Sequence, residues 1–119
     1  MNTQQIANRF YELAQKGEWA KIYEELYSTD AESIEPPGAQ GGLKSVKGME
    51  QIYKKGKEWE AGIEQVHGGH TGPPQVANNF FSCTMGFDAT FKGQGRMKMD
   101  EVALYEVKDG KIVKEQFFY

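Results

Sequence analysis

The sequence predicts an α+β fold, with helices first and a curved antiparallel sheet after them. Three observations predict it. Apolar residues recur at three- and four-residue spacing as far as Ala61, strict alternation sets in at Phe80, and the turn signals GQG and DG divide the second half into long strands. Helices followed by a meander place the helices on one face of the sheet. The 119 residues suffice for one domain, 1–119, with a real core.

Asn2 or Thr3 can cap a first helix, whose Ile6, Phe10, Leu13 and Ala14 share a stripe and which Gly17 ends. Trp19, Ile22, Tyr23 and Leu26 carry the same spacing into a second helix. A short strand from Ala31 to Glu35 stops at Pro36 and Pro37. The stretch PPGAQGGLKSVKG that follows, with Gly38, Gly41, Gly42 and then Gly48, reads as a mobile rim whose only large apolar anchors are Leu43 and Val46. A third helix is expected from Gly48 to Ala61, burying Met49, Ile52, Tyr53 and Trp59. Gly56 falls on that same side, where a missing side chain permits close packing or leaves room.

From Ile63 the pattern is β. IEQVHGG reads as a strand and TGPPQ as a turn. Phe80 to Lys92 forms a long strand with Phe81, Cys83, Met85, Phe87, Ala89 and Phe91 on its buried face. Arg96 to Lys108 returns, DG makes a tight turn, and KIVKEQFFY closes the sheet.

Composition narrows the function. Hydrophobic residues make up 39%, charged residues 26%, and the net charge is −3 with no Lys/Arg cluster, so neither nucleic acid nor an anionic membrane is an expected partner. The aromatic share of 13% is high and suits the lining of a cavity. The polar start MNTQQIANRF carries no signal-peptide pattern, and with the single cysteine, Cys83, the expected location is cytoplasmic. No phosphate-binding glycine loop or nucleophile elbow occurs, and no cofactor is expected.

Two carboxylates stand out. Glu35 sits directly before Pro36, which holds it extended, so the strand's pleat sets its direction. A solvated charge at a strand exit is the plainer alternative. A three-residue GQG loop sets Glu101 opposite Phe87 on an otherwise apolar face, and a two-residue DG loop puts Phe118 on its other side. Desolvation there would raise its pKa. His67 alternates with Gln65 and is a third catalytic candidate. It and His70 lack a ligand spacing held by regular structure, and no metal site is predicted. Cys83 reads as a small core residue. Tyr11, Tyr53, Trp59, Met97, Met99 and Tyr105, with Phe87 and Phe118, would together suit an apolar ligand. On the opposite face Thr84, Gly86, Val102, Leu104, Val113 and Phe117 suit an isologous homodimer interface.

The paired helices, STDAESIEPPG, the helix start KGMEQI and the ending VALYEVKDGKIVKEQFFY together resemble a SnoaL-like member of the nuclear transport factor 2-like superfamily, over essentially the whole chain. The resemblance implies a cone-shaped barrel, its curved sheet wrapped around a long helix with a cavity inside, and homodimers through the outer sheet face. In the ketosteroid isomerase branch an aspartate before a proline at the first strand's exit is the general base, and Glu35 matches that place. That branch also uses a tyrosine and a protonated aspartate as oxyanion donors. Phe10 stands where the tyrosine would be, and Glu101 is a substitute for the second acid, so steroid isomerisation itself is not expected. The resemblance thus implies proton transfer on a mainly apolar substrate (isomerisation, cyclisation or hydration) with Glu35 as base and Glu101 as acid. The alternative is a non-catalytic module that binds a lipophilic small molecule or serves as an accessory domain.

Overall fold

The computed structural model describes residues 1–39 and 43–119; Gly41 and Gly42 of the expected rim lie outside the described residues. Helix α1 (Thr3–Gln15) opens with a capping box: the Asn2 side chain accepts the Gln5 N–H at 2.9 Å, and the Gln5 side chain accepts the Asn2 N–H at 2.9 Å. Gly17, at φ 69°, supplies the left-handed stop. Ile6, Ala7, Phe10 and Leu13 form the buried stripe of α1, and Ile22 and Leu26 that of α2 (Trp19–Leu26).

Strand β1 (Tyr27–Ile34) starts directly after α2, four residues before the alternation becomes visible in the sequence. It pairs with the two-residue strand β2 (Val46–Lys47), which precedes α3 (Met49–Ala61). Then come β3 (Ile63–Thr71), β4 (Gln75–Ala77), β5 (Phe80–Phe91), β6 (Gly95–Lys108) and β7 (Lys111–Phe118). The strand order is β2-β1-β7-β6-β5-β3, with β4 also on β5. The architecture is α+β with a curved, unclosed sheet. The sheet is mixed and not wholly antiparallel, because β1 runs parallel to β7. Chain order hid that pairing, since the partners lie at opposite ends of the sequence.

The helix-covered face holds the core. Phe81 and Tyr105 stack with ring centroids 4.8 Å apart, and Phe10 packs on both at 5.4 and 4.7 Å. All three are buried. Tyr105 is thus a core residue and does not line an open ligand site. Truncating Phe10 to alanine would cost about 3–5 kcal/mol.

Two registers differ from those expected. The β5–β6 turn uses residues 92–94, so Phe91 pairs with Gly95, Phe87 with Met99, and Met85 with Glu101. This moves the partners by two and keeps the face. The β6–β7 hairpin starts regularly at Asp109–Gly110, both at positive φ, but a bulge follows. Val107 pairs with Ile112 and Glu106 with Lys114, leaving Val113 extra. A slip of one residue exchanges the two faces of a strand. Phe118 consequently lies opposite Val102 and is 47% exposed, while Glu115 comes inward opposite Tyr105. Phe117, expected outside, packs against the core.

Candidate functional site

The open end of the helix-covered face collects the polar side chains. On β1, Ser33 is buried and Ile34 faces the other way, so the pleat carries Glu35 inward. The Glu35 N–H donates to Ser45 Oγ at 3.0 Å, which fixes the strand exit just before Pro36. Its side chain is only 6% exposed. Oε2 accepts from Lys55 Nζ of α3 at 2.9 Å, and Oε1 accepts from the Tyr119 hydroxyl at 2.7 Å. The plain strand-exit reading therefore fails: the carboxylate is buried and doubly bonded.

Lys55, 12% exposed, also donates to Ser33 Oγ at 2.6 Å. Ser33 in turn donates to Glu115 Oε2 at 2.6 Å, and the Tyr27 hydroxyl donates to Glu115 Oε1. A continuous chain of hydrogen bonds runs from Tyr27 in the core through Glu115, Ser33, Lys55 and Glu35 to Tyr119 at the surface. Desolvating charges is costly unless each is paired and bonded, and every member here has a partner.

Glu101 stands half-buried on β6 beside this chain. Burial, then the charges of Glu35 and Glu115, push its carboxyl up to about 7. Burial also raises the Glu115 carboxyl, against the opposing pull of Ser33, Tyr27 and Lys55. The Tyr119 hydroxyl is held above its ordinary range by burial and by its bond to Glu35. The site thus combines a carboxylate tied to a cation with a neighbouring carboxyl that titrates near neutrality.

Beyond Glu101 the same face carries an apolar strip. Met85, Phe87, Met97 and Met99 are only half-buried although they share the face of the core residues. Trp59 of α3 borders the strip, 6.2 Å from Phe87 and 5.1 Å from Phe91 between ring centroids. A side chain at Gly56 would meet no heavy atom within 4 Å, so the helix does not close over the sheet there.

Several expected site residues lie elsewhere. His67 is an extra residue at a β3 bulge; its ring is exposed and bonds Thr90 Oγ1 at 2.6 Å on the other face. Phe118 is turned outward by the Val113 bulge. Tyr53 is 41% exposed on the outer side of α3, edge-on to Tyr23 at 5.6 Å. Tyr11 is half-buried on α1, off its fully buried stripe. Sequence reasoning missed Lys55, Ser33, Glu115, Tyr27 and Tyr119. Ser33 shares the pleat face of Glu35, and Lys55 lies between Ile52 and Trp59 on one helical stripe, so both left a readable signal. Glu115 left none, because regular pairing places it outside. Among the described residues no group of three or more His, Cys, Asp or Glu is arranged to hold a metal.

A family model described as a SnoaL-like domain matches residues 1–119. Among solved structures, a Mesorhizobium loti protein proposed as a SnoaL-like polyketide cyclase is 38% identical, with both chains covered in full and a TM-score of 0.91. A Xanthomonas campestris protein with a cystatin-like fold is 24% identical, with 99% of this chain and 90% of that one covered, at a TM-score of 0.72. TerC, crystallised with polyporic acid, is 14% identical over 98% and 90% of the two chains, at 0.76. The last two establish likeness of fold alone. A search of curated proteins found no match.

Proposed function

The chain belongs to the SnoaL-like domain family, and from that premise we propose that it moves protons on a mainly apolar small molecule, in an isomerisation, cyclisation or hydration. The observation that carries this reading is the unequal pair of carboxyls: Glu35 tied to Lys55 at 2.9 Å, and Glu101 beside it pushed up to about 7. Glu35 serves as the base. Glu101, partly protonated at neutral pH, serves as the acid. The substrate's apolar body rests on Met85, Phe87, Met97, Met99 and Trp59, with its reacting end toward the two carboxyls. Such chemistry calls for no redox or nucleotide cofactor. Likeness to the Mesorhizobium loti protein favours cyclisation among the three reactions.

The same reading takes the protein to act as one cytoplasmic domain and as a homodimer. The dimer forms through the outer sheet face of Thr84, Val102 and Leu104, to which the bulge adds Phe118.

A second reading, a non-catalytic binder of a lipophilic molecule, draws on one observation: both Glu35 oxygens are already bonded, to Lys55 and to Tyr119. Carboxyl carbon-13 NMR separates the two. The acid/base reading expects Glu101 to titrate near pH 7 and its midpoint to fall in Glu35→Gln. A Glu101 midpoint in the ordinary glutamate range, unmoved by that substitution, would favour the binder.

A further inference from the structure

We propose that the outer face of the sheet holds a second site, which takes a primary ammonium group carried on a small apolar body. Two rungs of the sheet build it. In the first, Gly86 of β5 pairs with His70 of β3 on one side and with Asp100 of β6 on the other, so the three share the face opposite to Met85 and Phe87. In the second, Thr84 pairs with Val102, and Val102 with Phe118. Glycines make room for the polar side chains. A Cβ on Gly86 would collide with the His70 ring, 2.6 Å from its Nδ1, and would lie 3.1 Å from Asp100 Oδ1. A Cβ on Gly72, whose N–H donates to the Thr84 carbonyl at 2.7 Å, would collide with Thr84 Oγ1. The hollow over these rungs has a volume of about 300 Å³, at the small end of ligand pockets.

The chemistry of the lining selects the ligand. A primary ammonium has three N–H donors, and a carboxylate, a neutral imidazole nitrogen and a hydroxyl oxygen are all acceptors. Asp100, His70 and Thr84 supply one of each. The neighbouring His67–Thr90 and Arg96–Asp88 contacts are closed on themselves, whereas the side chains of Asp100, His70 and Thr84 enter no hydrogen bond or ion pair among the described residues. Glu101 completes the lining beside Asp100, and no lysine or arginine joins them, so the local charge favours a cation. A metal ion is the poorer match, because one imidazole and one carboxylate fall short of the three or four protein ligands of a zinc site. Val102 and Phe118, both large and exposed, form an apolar wall on the β7 side, against which the body of the amine packs. Neither Glu35 nor Lys55 lines this pocket, so the proposal stands apart from the acid/base reading.

The test uses benzylamine, an ammonium at neutral pH on a single aromatic ring, with benzyl alcohol as its uncharged counterpart. In a proton–nitrogen NMR titration benzylamine should shift the amide signals of His70, Thr84, Gly86 and Asp100 saturably. Asp100→Asn keeps the size but loses the charge, and should bind benzylamine about tenfold more weakly. Benzyl alcohol should bind the wild type about tenfold more weakly than the amine does, and should not distinguish the wild type from Asp100→Asn. Gly86→Ala, which drives a methyl group into the His70 ring, should also lose affinity. Asp100 is exposed, so its variant folds even where Gly86→Ala does not. Thr84, Val102 and Phe118 also belong to the homodimer face proposed above, so amine and second copy exclude one another, and benzylamine should lower the mass of a dimer by light scattering. The assignment is overturned if no saturable shift appears, or if the shifts fall on Trp59, Met97 and Met99 of the helix-covered face. Equal benzylamine affinity in Asp100→Asn, equally tight binding of benzyl alcohol, or a dimer that persists at saturation also overturns it.

Discussion

Glu101 couples the site to stability through pH. Its folded carboxyl titrates at about 7 against an ordinary value of 4.5, so between those values the folded protein holds a proton that the unfolded chain has released. Its contribution is therefore fully present below about 4.5 and is lost as pH rises through 7. Glu101→Gln should flatten that fall, leaving the variant more stable than the wild type at pH 8 in urea unfolding; an unchanged pH slope would contradict it. Lys55 presents the opposite case. Its removal leaves Glu35 buried without its cation, so Lys55→Met should cost about 3–5 kcal/mol, and adding Glu35→Gln should recover much of the loss. Equal stabilities of single and double variants in denaturant titrations would show that the pair is not coupled. Glu35 was legible because a proline fixes its backbone. Lys55 was harder to see, because a lysine on a helical stripe ordinarily reads as solvated.

At the scale of elements, the single extra residue Val113 decides which groups of β7 enter the site. Were Val113 paired and not bulged out, regular pairing from Asp109–Gly110 would put Glu115 outside with Leu104 and bring Phe118 to Glu101. Deleting Val113 should therefore remove the bulge and keep Glu106 opposite Lys114 and Tyr105 opposite Glu115, so Glu115 and Phe117 stay inward and Phe118 outward. We expect the deletion to retain a cooperative thermal transition and the buried environment of Glu115. A lost transition, or Glu115 turned to solvent, would mean that the strand needs the bulge itself and not only the register beyond it. The alternation of β5 was readable over its whole length because every inward position is apolar. The bulge was not, since KIVKEQFFY offers a workable pattern in either register and neighbouring strands make the choice.

For the whole molecule, the outer sheet face carries large exposed apolar side chains. Val102 is 43% exposed and Phe118 47%, and they pair across β6 and β7. Val102→Glu should yield a monomer by light scattering if two copies meet on this face, and an unchanged mass at low concentration would exclude it. The amino-acid sequence by itself determined the order of the helices and the long strands, the core stripe of α1, the faces of β5 and β6, and the extended backbone at Glu35. Each follows from local periodicity or from a proline's restriction of the chain. Only the tertiary structure decided that β1 lies parallel to β7, that Lys55 reaches Ser33 and Glu35 from α3, and that Glu115 is buried while Phe118 is not. Those outcomes depend on contacts between segments far apart in the chain and on a one-residue bulge, and local spacing carries no information about either.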